Sequence, residues 1–235
     1  MKYIKADWPA PAQVKTYTTT RDGWGGRYPH PSHLSLAGEG ESLRSLLHLP
    51  SDPVWLNQIH GTTVVEANPG NTEQTADASY AIESKRVCVI STADCLPVLI
   101  CNKNGTHVAA IHAGWRGLAA GIIENTVTAI NQPASDLLVW LGPAIGPQKF
   151  EVGKDVYEAF TQKHTESAPA FTPCNEDKWL ANIYALARIR LRFLGISNIY
   201  GGDYCTYTQE ELFFSYRRDK GKTGRMASLI WIEDE

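Results

Sequence analysis

Residues 87–101 read VCVISTADCLPVLIC, two apolar runs separated by a short polar break. Continuous apolar runs rich in valine and isoleucine predict strands at 87–92 and 96–101 that are buried on both faces of a sheet. The break places Asp94 and Cys95 at strand ends, where a rigid scaffold commonly holds functional side chains. This stretch therefore predicts both a buried sheet and part of a functional site.

Five further apolar or alternating runs predict strands at 54–59, 62–66, 107–112, 137–141 and 227–232. Apolar residues at helical spacing predict helices at 118–130, 152–163 and 178–194, with Gly195 ending the last one. Loops are predicted at 22–40, 68–77 and 167–177. Because strands and helices do not alternate regularly, the pattern favours a mixed α/β or α+β domain over a simple doubly wound sheet.

Length and composition predict one domain spanning residues 1–235. The 22 Lys and Arg against 25 Asp and Glu give a net charge of −3, which argues against a general nucleic-acid binder. The chain shows neither a secretory signal pattern nor an apolar run long enough to span a bilayer. Its five cysteines form no C-x-x-C pair, so we expect a cytoplasmic protein. The sequence does not specify an oligomeric state.

Three candidate metal ligands lie at the ends of predicted strands: His60, Cys95 and His112. Two imidazoles and one thiolate suit zinc, and a site with three protein ligands leaves a fourth position for water or substrate. Spacing alone leaves a second interpretation open, in which Cys95 is a nucleophile and His112 its general base. Asp94, beside Cys95, is a candidate to support a metal ligand without binding the metal, or to carry a proton, although adjacent side chains on a strand point in opposite directions.

Several other residues are candidates for holding an anion or a substrate. Arg116 begins the helix after His112, and a helix N-terminus also favours anions. Arg217 and Arg218 lie in the basic run 215–225, which suits a phosphate or substrate role. The other candidate substrate contacts are Gln58, next to the His60 segment, and Gly142 and Gly146, in a turn that can offer backbone N–H groups to an anion.

The segments 54–61, 92–98, 112–117, 141–146 and 213–218 together resemble the bacterial laccase-domain family, once called multicopper polyphenol oxidases. This resemblance implies zinc at His60, Cys95 and His112, and a sandwich-like α/β domain related to a toxin with a Cys–His hydrolase site. It also implies phosphorolysis of adenosine, inosine, guanosine and methylthioadenosine to base and ribose 1-phosphate, and deamination of adenosine to inosine. At 35–38 the chain reads SLAG where many members carry Asn-Leu-Gly.

Two alternative functions come with the resemblance. A copper-dependent polyphenol oxidase of the true laccase type needs a trinuclear cluster built from many histidines. This chain has seven, none in His-x-His spacing, so only weak oxidase activity with copper bound at the three ligands is expected. One enterobacterial family member is also described as a peptidoglycan editing factor, which suggests a cysteine-type hydrolase acting on a peptidoglycan precursor.

Overall fold

The computed structural model describes residues 3–22, 42–68 and 74–234. The strands in these ranges are β1 (Tyr3–Ile4), β2 (Val14–Thr19), β3 (Leu56–Asn57), β4 (Val64–Glu66), β5 (Gln74–Thr75), β6 (Ala78–Ala81), β7 (Cys88–Thr92), β8 (Leu96–Asn102), β9 (Val108–Ala113), β10 (Leu137–Leu141), β11 (Glu151–Gly153), β12 (Phe171–Asn175), β13 (Lys178–Ala181), β14 (Ile199–Gly201) and β15 (Met226–Ile232). The helices are α1 (Leu43–Leu47), α2 (Trp115–Ala120), α3 (Ile122–Ile130), α4 (Lys154–Thr161) and α5 (Ile183–Phe193).

The largest sheet has six strands in the order β14-β10-β8-β9-β6-β4. Its four inner strands pair antiparallel, whereas β14 and β4 at the two edges each run parallel to their neighbour. Every residue of β8, β9 and β10 is buried, as the continuous apolar runs predict for strands covered on both faces. The expected mixed sheet is confirmed.

A second, antiparallel sheet with the order β1-β2-β15-β7 packs against one face of the first. The layer between the sheets contains Cys88, Ile90 and Ile230 from one side and Leu99 and Ala110 from the other. Full burial of a large aliphatic side chain contributes about 1.5–3 kcal/mol, so this layer supplies much of the stability. The sandwich-like arrangement is confirmed.

Helices cover the other face of the six-stranded sheet. Ile122 and Ile123 of α3 and Leu186 of α5 share a buried apolar cluster with Val98 and Ile111 of the sheet. The predicted helix at 118–130 is two helices, because Gly121 adopts φ +110° and interrupts the backbone bonding between α2 and α3. Helix α2 begins at Trp115, one residue after the end of β9, the strand that carries a candidate ligand.

The prediction of one helix at 178–194 is wrong in its first third. Trp179 and Leu180 belong to strand β13, which pairs with β11 and β12. Helix α5 begins only after Asn182, whose side chain accepts a hydrogen bond from the backbone N–H of Ala185 at 3.0 Å and so caps the helix. The predicted end is confirmed, because the helix stops at Phe193 and Gly195 follows with φ +80°.

The small sheet β11-β13-β12 also corrects two neighbouring predictions. The helix predicted at 152–163 begins at Lys154, because residues 151–153 form β11. The loop predicted at 167–177 contains β12. The loop predicted at 68–77 contains β5, and its residues 69–73 lie outside the described ranges. Residues 23–40 of the loop predicted at 22–40, which include the departure from the family pattern at 35–38, also lie outside them. No helix in the described ranges is long and apolar enough to cross a membrane.

Candidate active site

The three candidate metal ligands come together at one end of the sandwich. His60 follows the short strand β3, Cys95 occupies the bend between β7 and β8, and His112 is the penultimate residue of β9. The antiparallel register sets Pro97 of β8 opposite His112, which brings the bend beside that imidazole. Gly114 makes room for the group, because a Cβ there would lie 2.6 Å from His60 Cδ2 and 3.1 Å from Cys95 Sγ.

The ligand atoms lie close enough together to hold a single metal ion. All three ligand atoms lie within 4.8 Å of one another, with Cys95 Sγ 3.6 Å from His60 Nε2. Zinc–sulfur and zinc–nitrogen bonds of about 2.3 and 2.0–2.1 Å, at a tetrahedral angle, separate the two donors by about 3.6 Å. His112 is buried and His60 is exposed, so the group is open toward solvent on the His60 side.

The charges of this group suit a thiolate ligand. Burial acts to raise the pKa of the Cys95 thiol, but the neighbouring imidazoles of His112 and His60 outweigh it and lower that pKa to about 6. Burial acts to lower the pKa of His112, but the Cys95 charge and the Asp77 carboxylate outweigh it and raise that pKa to about 9. A cysteine that is already a thiolate at neutral pH serves equally as a metal ligand or as a nucleophile.

Asp77 is a component of the site that the sequence interpretation missed. Its fully buried carboxylate lies 2.7 Å from His112 Nδ1. Because a carboxylate only accepts, Nδ1 of His112 carries the proton and Nε2 is left for the metal. The same carboxylate accepts the backbone N–H groups of Ile59, His60 and Gly61 at 3.2, 2.9 and 2.6 Å. Asp77 therefore orients one ligand and holds the loop that carries another.

These hydrogen bonds also fix the charge of Asp77. Burial acts to raise the pKa of its carboxyl, but the bonds from His112 and the loop N–H groups prevail and lower it. The pairing of β6 with β9 sets Ala78 opposite Ile111, and so brings Asp77 next to His112. A lone aspartate 35 residues from its histidine partner carries no local sequence signal.

A cavity of about 370 Å³ opens over the ligand group. Its wall contains seven of the residues predicted from sequence: Gln58, His60, Asp94, Cys95, His112, Arg116 and Arg217. The rest of the wall is largely aromatic and aliphatic, with Trp115, Ile145, Phe150, Ile183 and Tyr216. Arg225 also lines the cavity, although the sequence analysis did not single it out as a site residue. Metal ligands, cations and aromatic rings thus share one small-molecule-sized space.

Each of the three cavity arginines lies against an aromatic ring. The guanidinium carbon of Arg116 is 4.3 Å from the centre of the Trp115 ring, and that of Arg225 is 5.8 Å from the Tyr216 ring. Arg217 lies 5.8 Å from the Phe150 ring and donates a hydrogen bond to the carbonyl oxygen of Glu151. Within the described residues, none of the three forms an ion pair with a carboxylate, so their charge is available to an anion.

Gln58 and Asp94 line the cavity, but their side chains form hydrogen bonds within the protein. The amide of Gln58 forms a pair of hydrogen bonds with the backbone N–H and C=O of Ser91, which ties the His60 segment to β7. Asp94 is buried and has φ +91°, and its carboxylate accepts hydrogen bonds from Thr206, Ser215 and the Arg217 backbone. Both residues therefore connect segments of the site.

Arg218, Gly142 and Gly146 do not lie in the cavity wall. Arg218 forms an ion pair with Asp219 and donates hydrogen bonds to the carbonyl oxygens of residues 206, 207 and 213. Its guanidinium therefore stabilises the fold. In the 142–146 turn, the N–H groups of residues 142, 144, 145 and 146 donate to Pro97 O, Tyr184 Oη, Asp94 O and Cys205 Sγ. The expectation that this turn offers N–H groups to an anion is wrong, because the protein already uses them.

Known proteins are similar to this chain over nearly its whole length. A family model described as multi-copper polyphenol oxidoreductase laccase matches residues 35–233. The Pseudomonas aeruginosa protein named purine nucleoside phosphorylase PA4543 is 48% identical over 242 residues, covering 99% of each chain. The Escherichia coli K12 protein named purine nucleoside phosphorylase YfiH is 48% identical over 243 residues, covering 98% of this chain and 99% of its own.

Solved structures also share the fold. The Neisseria meningitidis protein NMB0706 superposes with a TM-score of 0.87 at 45% identity, covering 100% of both chains. YlmD from Geobacillus stearothermophilus superposes with a TM-score of 0.86 at 25% identity, covering 100% of this chain and 97% of its own. These similarities span the segments that supply the ligands and the cavity wall.

Proposed function

Because this chain belongs to the multi-copper polyphenol oxidoreductase laccase family, whose close relatives are named purine nucleoside phosphorylases, we propose that it is a metal-dependent purine nucleoside phosphorylase. The observation that carries the proposal is the cavity of about 370 Å³, which joins a His-Cys-His ligand group, aromatic rings and three arginines that form no ion pair within the described residues. This volume lies near the lower end of the range for small-molecule sites, about 300–1,000 Å³. A nucleoside and a phosphate suit such a space.

The cavity wall offers groups suited to each of the two substrates. In phosphorolysis a phosphate oxygen bonds to C1′ of the ribose while the bond from C1′ to the purine nitrogen breaks, its electron pair going to the base. The guanidinium groups of Arg116, Arg217 and Arg225 bind the phosphate, since arginine offers paired donors to its oxygens. Trp115 and Tyr216 offer flat apolar surface to the purine. Holding both substrates together removes much of the entropic cost of their encounter.

His60, Cys95 and His112 are the residues that would hold the metal ion. Their two imidazoles and one thiolate suit a borderline-soft cation, so we propose zinc as the resident ion, with copper able to bind the same donors. A bound zinc ion supplies a Lewis acid that polarises a substrate oxygen or lowers the pKa of water. Asp77 keeps His112 in the tautomer that presents Nε2, and Gly114 leaves space for the ligand side chains.

We further propose that adenosine, inosine, guanosine and methylthioadenosine are substrates. The aromatic and aliphatic side chains of the wall would contact any purine face alike, which supports a broad range. We also propose that the same site deaminates adenosine, exchanging its amino group for the oxygen of water with release of ammonia. The five cysteines are all free thiols, which supports placing the activity in the reducing cytoplasm.

A cysteine-type hydrolase acting on a peptidoglycan precursor is the second candidate. The specific observation in its favour is the chain of contacts from Cys95 to His112 to Asp77, which has the order of a nucleophile, base and orienting acid. A zinc ion bound at Cys95 would exclude this function, since a metal-bound thiolate is not free to attack a substrate. A laccase is not supported, because among the described residues only one group of three or more candidate metal ligands is present.

Metal analysis and a nucleoside assay on the same preparation test the proposal. Protein purified without added copper is expected to hold one zinc per chain and to release hypoxanthine from inosine only when phosphate is supplied. The C95S variant is expected to lose both the metal and the activity. The C174S variant, altered at an exposed thiol of β12, is the matched control and should keep both. Metal-free, nucleoside-inactive protein with a Cys95 that iodoacetamide readily alkylates would instead favour the hydrolase.

A further inference from the structure

Asp94 lies at a junction of several segments around the cavity. Its carbonyl oxygen accepts the N–H of Ile145 at 3.0 Å, which fixes the turn after β10. Its Oδ1 accepts the hydroxyl of Thr206 at 2.6 Å. Its Oδ2 accepts the hydroxyl of Ser215 at 3.0 Å and the backbone N–H of Arg217 at 2.7 Å. One residue, adjacent in sequence to the ligand Cys95, thus receives four hydrogen bonds from three distant segments.

The position of Arg217 depends on this junction. Its own side chain is exposed and is held by a single hydrogen bond to Glu151 O and by contact with the Phe150 ring. Its backbone is fixed to the Asp94 carboxylate, and Ser215 strengthens the same turn by accepting the N–H of Arg218 at 3.2 Å. The distance between the arginine and the metal ligands is therefore set through Asp94.

The backbone of Asp94 is consistent with a residue held in place by its contacts. A φ of +91° is uncommon for a residue other than glycine, and such a conformation persists where the surroundings determine it. The carboxylate is hydrogen-bonded to residues 206, 215 and 217, which occupy three of its four or so acceptor positions. A proton carrier needs a free position facing the substrate, whereas a connecting residue needs the hydrogen bonds seen here.

We propose that Asp94 is a positioning residue for phosphate: it holds Arg217 at a fixed place relative to Cys95 and has no part in proton transfer to the substrate. The proposal rests on the proposed function in one respect, the assignment of phosphate to the Arg217 side of the cavity. Binding energy from Arg217 is realised only when its guanidinium reaches the anion without reorganisation. Asp94 supplies that preorganisation.

Two substitutions at this position separate the two roles. In D94N the remaining carbonyl oxygen can accept from Ser215 and from the Arg217 N–H, and the new amide can donate to the Thr206 hydroxyl, so the connections survive without the charge. In D94A all three side-chain bonds are lost. We expect D94A to raise the KM for phosphate about tenfold or more, because a displaced Arg217 would lose a hydrogen bond to the charged phosphate, and one such bond is worth about a tenfold change in affinity. For D94N we expect a change of less than about threefold.

The experiment measures phosphate KM, inosine KM and kcat for both variants, with D136N at an exposed carboxylate paired to Lys103 as the control. Zinc content checks the metal ligands, and the increase in Tm caused by inorganic phosphate reports phosphate binding without catalysis. The expected result is a smaller phosphate-induced Tm increase in D94A, near-normal behaviour in D94N, and full zinc in both. If D94A does not fold, T206V and S215A each remove one of the same bonds and should raise phosphate KM.

Two results would overturn the inference. One is an unchanged phosphate KM and phosphate-induced Tm increase in D94A, or in both single-bond variants. The other is a D94N protein whose kcat falls as far as that of D94A while phosphate binding stays normal, since that pattern belongs to a proton carrier. Absence of hypoxanthine release by the unaltered protein would refute the proposed function instead, and the phosphate-induced Tm increase would still test the role of Asp94.

Discussion

Substitution of Asp77 by asparagine is the sharpest test of how the metal site is built. The carboxylate accepts four hydrogen bonds: Oδ1 takes His112 Nδ1 and the His60 N–H, and Oδ2 takes the N–H groups of Ile59 and Gly61. Asparagine has the same shape but only one oxygen. Whichever way the amide turns, two of the four donors face its NH₂ group and lose their acceptor.

The size of the effect follows from that count. Hydrogen bonds to a charged group contribute about 1.5–3 kcal/mol each, so losing two lowers the free energy of unfolding by about 3–6 kcal/mol. For a protein whose total stability is about 5–15 kcal/mol, this is a large fraction. His112 is also released to adopt the other tautomer, and loss of such a partner typically weakens metal binding about 10–100-fold.

Competition with a chromophoric chelator measures the zinc affinity of D77N, and urea unfolding of the metal-free protein measures its stability. D136N serves as the control, because Asp136 is exposed and its ion pair with Lys103 spans 4.0 Å. It should bind zinc normally and unfold within about 0.5 kcal/mol of the unaltered protein. Zinc affinity within about twofold of normal in D77N would refute the role of Asp77 in orienting His112.

In the metal-free protein, the rate of Cys95 alkylation by iodoacetamide should increase as the pH rises through about 6, because only the thiolate reacts. Mass spectrometry after timed quenching measures this rate. A pH profile with its midpoint near 9 would contradict the thiolate assignment. Cys101 should stay unmodified in the same experiment, since burial raises its pKa to about 12. Gly114→Ala should abolish zinc binding measured by elemental analysis, because the added methyl group would lie 2.6 Å from His60 Cδ2, and stoichiometric zinc in this variant would show that the loop gives way. Arg225→Ala should raise the phosphate KM about tenfold and leave the Tm normal, because Arg225 lines the cavity. Arg218→Ala should lower the Tm and leave the phosphate KM of the folded fraction unchanged, because Arg218 donates its hydrogen bonds within the protein. The reverse pattern would contradict the roles assigned to these two arginines.

Much of the sheet and of the metal-ligand group could be predicted because the relevant signals are local. The apolar run 87–101 specifies two strands by composition alone, since buried strands need apolar residues on both faces. His60, Cys95 and His112 each end or interrupt such a run, and the donor types suggest a metal whatever the exact fold. Family resemblance then selected the metal interpretation over the Cys–His pair.

The incorrect predictions came from features whose meaning depends on a distant partner. Trp179 fits a helical stripe, but pairing with β11 and β12 makes it part of a strand. Gly142 and Gly146 look like an anion-binding turn until Pro97 and Cys205 are seen to take their N–H groups. Arg218 has the same local surroundings as Arg217, yet only the latter lines the cavity.

The sequence by itself determined which segments form the buried sheet and which side chains have the chemistry of metal ligands, because burial and donor type are properties of short stretches. Only the tertiary structure decided that Asp77 orients His112, that Asp94 ties Arg217 to the Cys95 bend, and that Arg225 joins the cavity. Asp77 and His112 are 35 positions apart in the sequence, and Asp94 and Arg217 are 123 apart. Arg225 is about 130 positions from Cys95, with which it shares the cavity wall. Strand register and chain crossing, rather than any local pattern, bring them within hydrogen-bond distance or into the same cavity wall.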